Sequence, residues 1–269
     1  MLATVPVMHE VASARWRDVG LFFVLACMFT WLADLPLVLA WTRQVTPPEY
    51  ALPLAGLGAF GPTLAAVVVA GWHRELRGVF GRWRTNPVWI VVGLFTPMAM
   101  HLVATLIEVA LGGSPAQWFY PPVLPESVAA MVVFSVGEEF GWRGYAYPRL
   151  AVLWGPVLGS LLLGVVWSLW HLGMLFTPDG RAPEPWMFAF YTLDLALNSV
   201  VLAWVFERGN RSMAVAFAVH AGAHLDNVHQ ATVSEPRLEV LRFVVLAIAA
   251  AFAARALLRT GARDATPGR

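Results

Sequence analysis

Two adjacent glutamates and an arginine, Glu138-Glu139-Phe-Gly-Trp-Arg143, lie inside a stretch that otherwise reads as a membrane-spanning helix. Ionisable groups at bilayer depth are costly unless they are paired or face a polar cavity, so they mark functional candidates by default. Glu139 and Arg143 stand four residues apart on one helical face, where an ion pair keeps both in the membrane. Glu138 is rotated by about 100° from its neighbour and has no such local partner, so it is free to face a cavity as a general base. Further along, Trp167-Ser-Leu-Trp-His171 ends in an imidazole walled by aromatics. His220 and His224 form a second four-residue pair on one face. Such a pair can bind a metal, donate to an oxyanion or bond to neighbouring helices.

These side chains need elements to hold them. Eight apolar stretches meet the length of about 20 residues that a spanning helix requires. Their expected bounds are 19–42, 50–72, 87–111, 126–149, 154–176, 186–206, 212–229 and 238–258. Turn-formers separate several of them: Pro47-Pro48, Asn86-Pro87, Gly112-Gly113-Ser114-Pro115, Pro178-Asp179-Gly180 and Gly209-Asn210. The expected fold is an all-α polytopic membrane bundle of about eight transmembrane helices. Residues 1–269 read as a single integral membrane domain, with a catalytic core at about 126–229 and a polar cytoplasmic tail at 259–269.

Composition agrees. Of 269 residues, 58% are hydrophobic and 13% charged, against about a quarter charged in soluble domains. Mean hydropathy is +0.63. All 18 basic residues are arginine, and the net charge of +1 argues against a nucleic-acid partner. A single cysteine, Cys27, excludes an internal disulfide and a paired-cysteine metal site. The polar residues before the first apolar run, and the length of that run, indicate an anchor and not a cleavable signal peptide. With the N-terminus inside, thirteen arginines fall in cytoplasmic segments (15, 17, 74, 77, 82, 84, 149, 208, 211, 255, 259, 263 and 269). Four fall outside (43, 181, 237 and 242). The positive-inside rule therefore predicts both termini in the cytoplasm of a multi-pass plasma-membrane protein, expected to be prokaryotic. Tryptophans 16, 41, 72, 83 and 186 fall near span ends and read as interface anchors.

Depth tests whether the candidates can meet. At 1.5 Å per residue, Glu138 lies roughly 17 Å from the inner end of its span and His171 roughly 25 Å from the inner start of the next. His220 and His224 lie roughly 12 and 18 Å into theirs. All four can converge on one layer. Other polar positions have blander expected roles. Asp34, two residues before Pro36, is expected to satisfy backbone freed at a kink. Asp194 and Asn198 share a face and are expected to serve packing, with cavity lining as the alternative. Gly61-Pro62-Thr63 marks a kink or close helix contact, His101 and Glu108 sit near one end of the third span, and Asp226 and His229 are expected to be solvated.

Glu138-Glu139-xxx-Arg143, Trp167-xxx-His171 and His220, in that order, resemble the CPBP family of intramembrane proteases, which includes CAAX prenyl endopeptidases and bacteriocin-processing and Abi-type proteins. The resemblance covers about Glu138 to Asn227, with weaker support from Phe60-Gly-Pro-Thr63. It implies that Glu138 activates water, that His171 helps to position it, and that His220 helps to stabilise the oxyanion. Glu139 and Arg143 would brace the motif, and Asn198 is a further candidate for structural support. The family's third motif usually ends in Asn or Asp, and here that position is His224, which can still donate to an oxyanion. Asn227 lies on nearly the same face but roughly 10 Å further along, too far to replace it.

The resemblance leaves the cofactor open, because the family has been described both as metal-dependent and as metal-independent. Glu138, His171, His220 and His224 form a ligand set suited to Zn²⁺, with Glu138 then either ligand or base. No HExxH occurs, and glutamate-activated water without metal is the favoured reading. The expected partners are the lipid bilayer and a peptide or membrane-protein substrate. Two other functions compete: a non-proteolytic member of the same scaffold acting in immunity or interaction, and a proton-coupled transporter. The second calls for repeated spans, and none is apparent.

Overall fold

A computed structural model describes residues 15–114, 125–225 and 236–264. The described residues are helical and turn structure without a strand, in the order α1 (Trp16–Thr42), α2 (Ala51–Gly58), α3 (Gly61–Trp72), α4 (Leu76–Phe80), α5 (Pro87–Ala110) and α6 (Pro125–Glu139). A π-helical turn (Phe140–Ala146) then leads into α7 (Tyr147–Trp154) and α8 (Pro156–Trp170). A 3₁₀ turn (His171–Leu175), α9 (Pro185–Arg208), α10 (Met213–Leu225) and α11 (Pro236–Asp264) complete it.

Each of the eight apolar stretches contains helix, but they differ in form. Among the described residues, five helical segments are long and apolar enough to cross a bilayer alone, one of them α8 together with its 3₁₀ turn. α2 and α3, bent by 49°, pass the same test as a pair. The remaining two are the broken helix that carries the glutamates and α10, of 13 residues, which carries the histidine pair. Local chemistry sets several ends. The Asn86 side chain accepts from the Val88 amide at 3.0 Å and Pro87 follows it, an N-cap with proline at the first helical position. Between α7 and α8, Gly155 adopts φ +80°, which an L side chain tolerates poorly, and Pro156 starts the next helix.

The surface is apolar, and a core that is itself mostly apolar also holds polar and charged side chains. Val24, Leu32, Ile248 and Phe252 are exposed, while Thr30, Glu138, Glu139, Arg143 and His220 are buried. Apolar side chains outside and polar ones inside suit a hydrocarbon solvent. The chain is an integral membrane protein. At one end, segments expected on the same side meet: Arg149 bonds Glu75, Tyr147 Oη donates to Glu207 at 2.9 Å, and Ser212 Oγ donates to the Trp83 carbonyl at 2.9 Å. Elsewhere, Arg237 of α11 pairs with buried Glu108 of α5.

Gly61-Pro62-Thr63 combines both expected features. Pro62 opens α3 after the bend, and Thr63 Oγ1 donates to the Val136 carbonyl of α6 at 3.3 Å. Beneath it, Gly141 of the π turn sits so close that a Cβ there would lie 2.5 Å from Pro62 Cβ. Such overlap with a proline ring has no flexible side chain to yield. Gly141→Ala is therefore expected to destabilise by about 1–3 kcal/mol, read as a lowered thermal unfolding midpoint in detergent. An unchanged midpoint would show that the contact is not tight.

Candidate active site

The α-helical phase used to separate the glutamates holds only as far as Glu139, because the backbone changes to π geometry at Phe140. Inserted π turns recur at functional sites. This one turns Trp142, Arg143 and Tyr145 into the core, where the Trp142 ring packs against Phe22 and Trp170. Arg143 Nη1 donates to Glu139 Oε1 at 2.9 Å, with both side chains essentially inaccessible. The same oxygen accepts from Nδ1 of His220 on α10 at 2.7 Å. Glu139 thus ties the arginine to the third-motif histidine, a link that the expectation of a separate brace missed.

Glu138 also differs from expectation, since it does have a local partner. Trp142 Nε1, one turn on, donates to Glu138 Oε2 at 3.3 Å, and Trp167 Nε1 of α8 donates to the same oxygen at 2.8 Å. Two indoles fix the carboxylate through one oxygen. The other, Oε1, lies 3.8 Å from His220 Nε2. Trp167 joins the site in a second way: its ring lies 5.8 Å from the His171 ring and 5.8 Å from the His220 ring, with Arg143 Cζ 4.7 Å from its centroid. The sequence pointed to Trp167 only as a wall for His171. The four-residue spacing of Glu138 and Trp142 was a usable signal for the first indole.

His171 stands where α8 ends. Its Nδ1 donates to the Trp167 carbonyl at 2.9 Å, one of the acceptors that a helix C-terminus leaves over. That bond places the proton on Nδ1 and leaves Nε2 as an acceptor in the neutral ring. His220 Nε2 and His224 Nε2 are hydrogen-bonded to each other at 3.1 Å, and the two rings stack. Glu138, His171, His220 and His224 all line a single cavity of about 920 Å³, within the usual size range of small-ligand pockets.

One expectation about the other polar residues needs correction. Asp34 satisfies no kinked backbone: it forms no hydrogen bond among the described residues and its Oδ2 is buried without a partner. It lines the cavity instead. Asp194 and Asn198 bond to each other within α9 (Asn198 Nδ2 to Asp194 Oδ2, 2.9 Å) and line the cavity, the alternative given to packing. Asp226, Asn227 and His229 lie outside the described residues. The zinc set does not fit as a group: among the described residues no three His, Cys, Asp or Glu side chains are arranged to hold a metal ion. Nδ1 of His171 and of His220 each donates to protein, which leaves Nε2 of each ring for the chemistry of the site.

Residues 118–226, the segment that supplies all four candidates, match the Rce1-like family, described as type II CAAX prenyl endopeptidase. The match covers part of the chain and agrees with the resemblance to the CPBP family that the motifs carry. It is similar to CAAX prenyl protease 2 of Methanococcus maripaludis, with 27% identity over 145 residues, covering 48% of this chain and 52% of that protein. The chain thus spans about half the length of the curated relative it matches. Against the CPBP pattern, His224 remains the one departure, and it occupies the expected place beside His220.

Proposed function

We propose that the chain is an intramembrane endopeptidase, with both termini cytoplasmic, that hydrolyses a peptide bond in a membrane-associated peptide or protein. The observation that supports this reading is that Glu138, His171, His220 and His224 line one cavity. Glu138, already held through Oε2, has Oε1 available to take a proton from water. The resulting hydroxide attacks the peptide carbonyl carbon. Nε2 of His171 accepts from the water and orients it. The carboxyl proton then passes to the leaving amine as the C–N bond breaks, which regenerates the carboxylate.

His220 donates to the developing oxyanion, and His224 joins it as the oxyanion displaces the bond between the two Nε2 atoms. Glu138, Glu139 and Arg143 alone carry a net negative charge, so one proton on His220 neutralises the buried set and supplies the Nε2–H that oxyanion stabilisation needs. No metal step is required by this route. The test is cleavage of a membrane-embedded peptide by purified protein in proteoliposomes made in ¹⁸O-water. One labelled oxygen in the new carboxyl terminus is expected. Absence of cleavage with several membrane peptides would overturn the reading, and proton-coupled uptake by the same vesicles would point to transport.

The role given to His224 can be separated from its identity. An asparagine amide also donates, so His224→Asn is expected to keep kcat/KM within about tenfold of the parent. His224→Ala removes the donor and is expected to lose about 10²–10³-fold. Equal loss in both variants would show that position 224 needs an imidazole, and metal analysis of the two proteins would then be decisive.

A further inference from the structure

The cavity has an acidic lining: Asp34, Glu138, Asp194 and Glu239 against a single guanidinium, Arg242. Three of these carboxylates have protein partners. Glu138 accepts from two indoles, Asp194 from Asn198, and Glu239 pairs with Arg242 at 3.2 Å. Asp34 has none. It is 3% exposed, takes part in no hydrogen bond or ion pair among the described residues, and faces the cavity from α1. An unpaired carboxylate at this depth is a large cost, and folding alone gives no reason to retain it.

Its surroundings hold it beside the candidate catalytic turn. Trp31 Nε1 donates to the Trp170 carbonyl at 3.2 Å, Trp170 Nε1 donates to Thr30 Oγ1 at 2.6 Å, and Thr30 Oγ1 donates to the Gly58 carbonyl at 2.7 Å. These bonds fasten the turn of α1 that precedes Asp34 to the end of α8 that presents His171. Gly173, two residues after His171, leaves the space that the carboxylate fills: a Cβ there would lie 2.6 Å from Asp34 Oδ2. The carboxyl group is therefore held next to the His171 turn.

We propose that Asp34 is a specificity-determining residue that receives a cationic group of the substrate, an ammonium or guanidinium on a basic residue near the scissile bond. The assignment rests on the endopeptidase reading. An extended substrate advances about 3.3–3.6 Å per residue, so the basic residue sits within a few positions of the cleaved bond.

The test uses the full chain in proteoliposomes and a membrane peptide series in which a single Lys replaces Gln at each position flanking the cleaved bond. At one or two positions Lys is expected to raise kcat/KM about tenfold or more over Gln, the usual gain for a hydrogen bond to a charged group. In Asp34→Asn that ratio is expected to fall to about one, and the parent's own preference tests the idea even where the variant folds poorly. In parallel, binding of the same peptides to the Glu138→Gln protein, followed by fluorescence anisotropy, reads the preference without cleavage. No Lys preference at any position, or a preference that survives Asp34→Asn, overturns the assignment. An Asp34-dependent binding preference without cleavage of any peptide by the parent would instead remove the endopeptidase reading and leave Asp34 as a cation site.

Discussion

Glu138→Gln is expected to lower kcat by between about a hundredfold and ten-thousandfold while leaving the thermal unfolding midpoint in place. The substitution isolates proton transfer from structure. The amide oxygen can still accept from Trp167 and Trp142, as Oε2 does now at 2.8 and 3.3 Å. The amide nitrogen takes the place of Oε1, near His220 Nε2, and cannot accept a proton from water. Glu138→Ala is a poorer experiment. It leaves two buried indole N–H groups without an acceptor, at about 1–3 kcal/mol each, so its loss of activity would mix chemistry with unfolding. Rates in proteoliposomes and midpoints in detergent decide the matter together. A Glu138→Gln protein that cleaves at the parent rate would remove Glu138 as the base.

How the candidate site was legible follows from what fixes each contact. Hydropathy gave the eight stretches because lipid requires long apolar segments whatever the tertiary arrangement. The Glu139–Arg143 pair was legible because both residues lie on one helix and their spacing alone brings them together. That His171, His220 and His224 line one cavity with Glu138 was legible only as shared depth, which the rise per residue supplies. Rotation about each helix axis was not available. Two bonds therefore stayed hidden, His220 Nδ1 to Glu139 and Trp167 Nε1 to Glu138, each of which depends on how two helices face each other.

The π turn was hidden for a related reason. Its residues form it while packed against distant ones: Gly141 under Pro62, and Gly144 against Val79, where a Cβ would lie 2.8 Å from the carbonyl oxygen. Nothing local in Phe-Gly-Trp-Arg-Gly-Tyr-Ala demands that change of pitch. Asp34 failed in the opposite direction. Its nearness to Pro36 suggested a local role, and the tertiary structure gave it a cavity. Polar residues in membrane helices are read more safely as cavity candidates than as local repairs.

Arg143→Met is the second large effect, and it falls on stability. The guanidinium is 1% exposed and shares with His220 the task of neutralising Glu139, which is fully buried. Methionine fills much of the volume but leaves the carboxylate with one donor. Breaking a buried pair in this way costs about 3–5 kcal/mol. A marked fall in the unfolding midpoint, or loss of folded protein on purification, is expected. The double variant Glu139→Gln, Arg143→Met removes both charges, and its glutamine oxygen can still accept from His220 Nδ1. It is therefore expected to recover most of the lost stability, since replacing a whole buried pair by neutral groups is often close to neutral. A double-mutant cycle on the midpoints measures the coupling directly. If Arg143→Met unfolds like the parent, the pair is not what keeps Glu139 in the membrane, and the burden falls on His220. Recovery in the double variant without recovery of cleavage would show that the charged pair also acts on the site, Glu139 through its bond to His220 and Arg143 through its contact with the face of Trp167, whose indole holds Glu138.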